Sequence, residues 1–114
     1  MDKETEKAMK KDNILHLTLK KKYFDEILSG RKKKEFRELK PYWISRLCTR
    51  ESIKSACFEL FEFKKFEKII FKNGYKKNAP SFEIELKKIE ICCGIDTPIG
   101  RGDFFVIHLG KIIK

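Results

Sequence analysis

The sequence predicts an α+β domain in which a mixed sheet curls into a small β-barrel with short helices at its rim. The chain opens on a strand, a helix and a second strand, and its second half reads as successive strands. That order is the pattern of a mixed sheet whose helices gather at one side or end. Hydrophobic residues make up 41% of the chain and ten are Phe, enough apolar material for one core. At 114 residues, a second independent core does not fit.

Residues 1–12 are almost all charged or polar and carry no apolar period, so they are expected to form a flexible charged tail ahead of a domain spanning 13–114. From Ile14 to Leu19 the pattern alternates, with Leu15, Leu17 and Leu19 on one face of a first strand. Tyr23, Phe24, Ile27 and Leu28 then recur at helical spacing, and Gly30 follows as a left-handed cap. The next run, Arg31 to Arg37, reads as a strand with six charged residues out of seven. So polar a strand is either a charge-protected edge or the lining of a solvated anion site. Alternation places Glu35 and Arg37 on one face.

A second helix is expected from Pro41 to Cys48, with Pro41 in its first turn, and residues 50–57 read as a helical continuation or an insertion. Phe58–Phe63 and Lys68–Phe71 are strand candidates. Asn73-Gly74 signals a turn and opens a loop reaching Pro80. Phe82, Ile84 and Leu86 alternate with charged residues, and the phase slips at Lys87-Lys88, which suggests a bulge before Ile89 and Ile91. Gly94–Gly102 reads as a loop, and Phe104–Gly110 as a buried strand.

Charge narrows the function classes. Lys and Arg number 27 against 17 acids, for a net charge of +10. Such a surface attracts polyanions, although an A/T-rich genome also raises the Lys content. No apolar run approaches the ~18 residues of a membrane span, and the charged start lacks the apolar segment of a signal peptide. A cytoplasmic protein without membrane contact is expected. Cys48, Cys57, Cys92 and Cys93 lack the spacing of a zinc knuckle, and His16 and His108 stand apart on strand-like runs. They read as reduced thiols acting as small buried hydrophobes, with no metal and no cofactor.

The run from Leu17 through Tyr23-Phe24-Asp25-Glu26-Ile27-Leu28-Ser29-Gly30 to Arg31-Lys32-Lys33-Lys34-Glu35-Phe36-Arg37 resembles the opening of the ASCH family. That family's mark is a helix ending in Gly, followed by Lys and then Glu-x-Arg; here the positions are Gly30, Lys32, Glu35 and Arg37. Phe71-Lys72-Asn73-Gly74-Tyr75 with Pro80, and Phe105 through Ile112, are similar to small bacterial and phage-type members. The resemblance covers residues 14–113 apart from 49–64. It implies a PUA-like β-barrel that binds RNA or a nucleotide-like ligand in a basic cleft beside the first helix. The residues suit that role. Arg31, Lys32, Lys33, Lys34 and Arg37 supply cations, and the Arg37 fork matches a phosphate or base edge. Glu35 orients them or accepts from a base amino group. Trp43 and Tyr75 offer stacking faces, with Asn73 at the neighbouring turn. The competing reading is a same-face Glu35–Arg37 ion pair and aromatics packed in the core.

Two other function classes stay open. One branch of the family resembles an amidohydrolase acting on acetylcytidine through a Lys, a Thr and a downstream Glu, and another relative is a ribonuclease. Lys32 matches the Lys, Glu35 stands at the Thr position, and the downstream Glu is one of Glu83, Glu85 and Glu90. In either enzyme Lys32 and Glu35 are the candidate catalytic residues. The third class is a protein-interaction module whose charge serves solubility alone. The oligomeric state is not fixed by the sequence.

Overall fold

The computed structural model describes residues 14–114, so the expected tail over 1–12 lies outside the described residues. The fold is α+β, a five-stranded mixed sheet with short helices. Its strands are β1 (Ile14–Leu19), β2 (Lys34–Glu38), β3 (Lys68–Asn73), β4 (Ser81–Thr97) and β5 (Gly100–Ile112). The helices are α1 (Lys21–Leu28), α2 (Pro41–Leu47) and α3 (Arg50–Ile53), with a 3₁₀ turn at Phe58–Leu60. The sheet order is β1-β3-β4-β5-β2, with β1 and β2 as its two end strands. The sheet is therefore not closed into the expected barrel. Packing divides the chain into two compact units, and β4 and β5 each contribute to both.

The first unit holds residues 14–33, 65–87 and 109–114. β1 runs parallel to β3 in the register Leu15↔Ile69 and Leu17↔Phe71. β3 runs antiparallel to β4, with Ile69↔Ile84 and Phe71↔Phe82. The parallel pair needs a crossover connection, and α1 lies within it. The predicted apolar face of β1 is the buried one: Leu15, Leu17 and Leu19 are at most 5% exposed. α1 turns Phe24 and Ile27 inward, and the Phe24 ring meets Phe82 edge-on at 5.0 Å. Each such side chain, fully buried, contributes about 1.5–3 kcal/mol.

The second unit holds residues 34–64 and 88–108. β2 pairs antiparallel with β5, Lys34 opposite His108 and Glu38 opposite Phe104. Leu47, Cys48 and Phe104–Ile107 form its buried core, and Phe63 packs edge-on against Phe105 at 6.1 Å. α3 starts on Thr49, whose Oγ1 accepts the Ser52 N–H at 3.3 Å.

Three sequence expectations change. Phe58–Phe63 is a 3₁₀ turn followed by a single bridge between Cys48 and Phe63, because Ala56 at φ 56° turns the chain just before it. Gly94–Gly102 is mostly strand: β4 reaches Thr97, β5 starts at Gly100, and only Pro98-Ile99 turn between them. The four cysteines are free, but only Cys48 is buried, whereas Cys93 is exposed and Cys57 and Cys92 are half-buried. Among the described residues no helix is long and apolar enough to cross a membrane.

Candidate nucleic-acid interface

The first unit carries a groove beside the end of α1. Its origin is local. Gly30 takes φ +84°, and the N–H groups of Arg31 and Lys32 both donate to the Glu26 carbonyl at 3.1 Å. The chain thus folds back under the last turn of α1, and the Leu109 N–H then donates to the Lys33 carbonyl at 2.9 Å. Lys32 and Lys33 are thereby fixed against the C-terminal part of β5. Ile27, Ile84 and Leu109, each at most 3% exposed, supply buried apolar lining. Lys32, Lys33, Lys87 and Lys111, with Glu85, also line the groove, around a volume of about 400 Å³. The Lys32 ammonium also sits 4.4 Å from the centre of the Tyr23 ring, a cation–π contact.

Glu85 crosses this groove over Gly110. Its carboxylate occupies the space that a Cβ at position 110 would need, so a glycine there lets the side chain lie across β5. A carboxylate among four lysines keeps the groove basic while giving it one strong hydrogen-bond acceptor.

The second unit gathers other predicted residues. Glu35 and Arg37 lie opposite Ile107 and Phe105 on β5, both fully buried. Glu35 is itself only 5% exposed. Its Oε1 accepts the Phe36 N–H at 3.2 Å and its Oε2 accepts from Arg37 Nη2 at 2.7 Å. The Arg37 guanidinium lies 4.9 Å from the Trp43 ring, and Arg46 lies 5.5 Å from the same ring. Arg46 Nη1 donates to Tyr42 Oη at 3.0 Å, and Tyr42 is 60% exposed. A ladder of guanidinium and aromatic groups thus runs from buried Glu35 to exposed Tyr42.

The predicted motif is therefore shared out: Gly30 and Lys32 belong to the first unit, Glu35 and Arg37 to the second. Lys32 and Lys33 meet in the groove, and Glu35, Arg37 and Trp43 meet in the ladder. Arg31, Lys34, Asn73 and Tyr75 belong to neither set. Arg31 donates to Ser29 Oγ at 3.1 Å, and the Asn73 N–H closes the β3–β4 loop on the Pro80 carbonyl at 2.9 Å. Tyr75 is 92% exposed. Sequence reasoning missed Lys87 and Lys111, which come from strands far along the chain and share no local pattern with Lys32, and it left Glu85 as one of three candidates for the downstream Glu. It also missed Tyr42 and Arg46, whose four-residue spacing on a helix was a usable signal.

His108, read as isolated, is hydrogen-bonded to Glu90. That bond, followed by the charges of Lys88 and Lys34, holds the Glu90 carboxyl below the ordinary value of 4.5. Lys68 does the same for Glu83. Burial pushes the Cys48 thiol up to about 11. Among the described residues no three His, Cys, Asp or Glu side chains gather as for a metal ion. Comparison of the chain with protein-family models, with curated proteins and with solved structures gives no match.

Proposed function

We propose that this chain is an ASCH-like domain that holds RNA or a nucleotide-like ligand in the lysine-lined groove beside α1. The observation that carries it is the convergence of Lys32, Lys33, Lys87 and Lys111 over an apolar floor, in a volume of about 400 Å³. Small-ligand sites have this size and this mix of apolar lining and few polar groups. Ammonium groups suit phosphates as mobile point charges, and Glu85 suits the donor edge of a base. The PUA-like part of the proposal takes the form of an open five-stranded sheet, and a cytoplasmic address goes with it.

The test is binding of single-stranded RNA, duplex RNA and duplex DNA at two salt concentrations. Lys32→Ala/Lys111→Ala is the control, since Arg37 is engaged with buried Glu35. The proposal expects weaker binding and a salt slope reduced by about one per lysine removed. Binding indifferent to both changes would mean the charge is generic. No affinity for any nucleic acid or nucleotide would favour an interaction module.

One observation favours the enzyme reading as runner-up: Lys32 and Glu85 line the same groove. An ammonium and a carboxylate in one site suit proton transfer in amide or phosphodiester cleavage. Glu35 stands where the amidohydrolase-like relatives have a Thr, so the hydroxyl of that chemistry is missing. Turnover of acetylcytidine or RNA that disappears in Lys32→Ala, with the fold intact, would establish this reading; absence of turnover in the unmodified protein would end it.

A further inference from the structure

We infer that the ligand is a single-stranded oligonucleotide rather than a mononucleotide, held at two points of the first unit: one nucleotide in the lysine groove and a base stacked on Tyr75 in the loop before β4. This rests on the proposed function of the groove and goes further, because the second point lies outside it. Tyr75 is 92% exposed, the most exposed of the large hydrophobic side chains among the described residues. An aromatic that buries almost nothing contributes little to the core, and it presents a bare π-face to solvent.

The tip that carries it is built. Gly74 at φ +94° makes the turn, Gly74 N–H donates to the Lys72 carbonyl at 3.2 Å, and Ala79 N–H donates to the Lys76 carbonyl at 3.0 Å. The loop is closed at its base by the Asn73–Pro80 bond of 2.9 Å. Lys72, Lys76 and Lys77 flank Tyr75, and no acidic residue lies between Lys72 and Pro80. Interleaved lysines and an exposed aromatic are what a single strand needs: cations for the backbone and a stacking platform for a base.

The rise along β4 between the loop and the groove argues for an oligonucleotide. Both points belong to the first unit and are joined by β4, which leaves the loop at Ser81 and reaches the groove at Ile84, Glu85 and Lys87. At about 3.4 Å per residue, Ser81 to Glu85 spans roughly 14 Å. A stacked strand advances about 3.4 Å per nucleotide, so a rise of that length alone corresponds to about four nucleotides, and fewer if the strand is drawn out. A mononucleotide reaches one point only. A strand of sufficient length engages both, and its second contact is made at the high effective concentration set by the first.

The experiment is fluorescence-anisotropy binding of a mononucleotide and of single strands of increasing length, from two to eight nucleotides. The proteins are the unmodified chain, Tyr75→Ala, Tyr75→Phe and Lys32→Ala/Lys111→Ala, with thermal midpoints as a check of fold. The expected result is an affinity that climbs with length and levels off once both points are spanned. Tyr75→Ala lowers the ratio of long-strand to mononucleotide affinity by roughly tenfold, as loss of one stacked base does, and Tyr75→Phe restores it. A Tyr75→Ala protein that keeps the full length dependence, while the double lysine variant weakens every ligand, overturns the inference and leaves the groove standing. No binding of any nucleotide or strand overturns both. Tyr75-dependent binding to anionic vesicles, with strand binding unaffected by Tyr75→Ala, makes the tip a membrane contact and overturns the inference alone.

Discussion

The guanidinium of Arg37 lies 4.9 Å from the centre of the Trp43 ring while Nη2 donates at 2.7 Å to Glu35. The side chains of Arg37 and Glu35 are 18% and 7% exposed, so this is a largely buried pair. Removing one side of such a pair takes the charged partner from a buried carboxylate that keeps the Phe36 N–H, and the cost for a buried pair is up to about 3–5 kcal/mol. Arg37→Ala is expected to lower the unfolding free energy by about that much in urea. Replacing both partners by apolar residues is expected to recover much of the loss. An Arg37→Ala protein as stable as the original would show that Glu35 is compensated elsewhere.

Gly110 makes a second stability argument. An alanine there meets the Glu85 side chain, while the backbone itself sets no obstacle. Gly110→Ala is expected to cost about 1 kcal/mol, in the range of mild overpacking, and to push the Glu85 carboxylate off β5. In a Glu85→Ala background the same substitution is expected to cost less, since only the approach to the Cβ of residue 85 at 3.0 Å remains. A double-mutant cycle in urea reads the coupling directly; additive effects would mean Glu85 does not depend on the glycine.

How far the fold was legible depends on whether its signals are local. β1 and α1 were legible because Leu15, Leu17 and Leu19 alternate and Phe24 and Ile27 share a helical face, each read within a few residues. Phe58–Phe63 misled because a short run rich in Phe and Leu suits a strand, whereas a strand also needs a neighbour; here only Cys48 bridges Phe63. The glycines of 94–102 misled in the opposite direction. Gly94, Gly100 and Gly102 have positive φ within paired strands, so they bend the hairpin rather than end it. The groove was half legible: Gly30 and Lys32 form a local motif, but Glu85, Lys87 and Lys111 join it only through the positions of β4 and β5.

The carboxylates predict an acid response. Glu90 is held below its ordinary value of 4.5 first by the His108 hydrogen bond, and Glu83 first by the Lys68 hydrogen bond. A depressed folded value means the unfolded chain takes up the proton first as pH falls. The stabilisation from these pairs is therefore complete above the ordinary value and is lost as pH drops through the lower folded value. Urea midpoints measured from pH 6 to pH 3 are expected to fall more steeply in the unmodified protein than in Glu83→Gln/Glu90→Gln. Parallel profiles would mean that other groups set the acid limit.

The thiols give the last prediction. Cys48 is fully buried and its thiol is pushed up to about 11, so at neutral pH it is a protonated group out of reach of solvent. Thiolate is the reactive form, and both effects protect it. Cys93 is exposed, but partial desolvation and then the neighbouring Asp103 carboxylate raise its value too. Labelling with a thiol-specific reagent, followed by mass spectrometry, is expected to modify Cys93 before Cys48 in the native protein. Cys48 is expected to react only on global unfolding. Asp103→Asn is expected to speed labelling of Cys93, since it removes a negative charge that opposes the thiolate; an unchanged rate would mean that Asp103 does not govern that thiol.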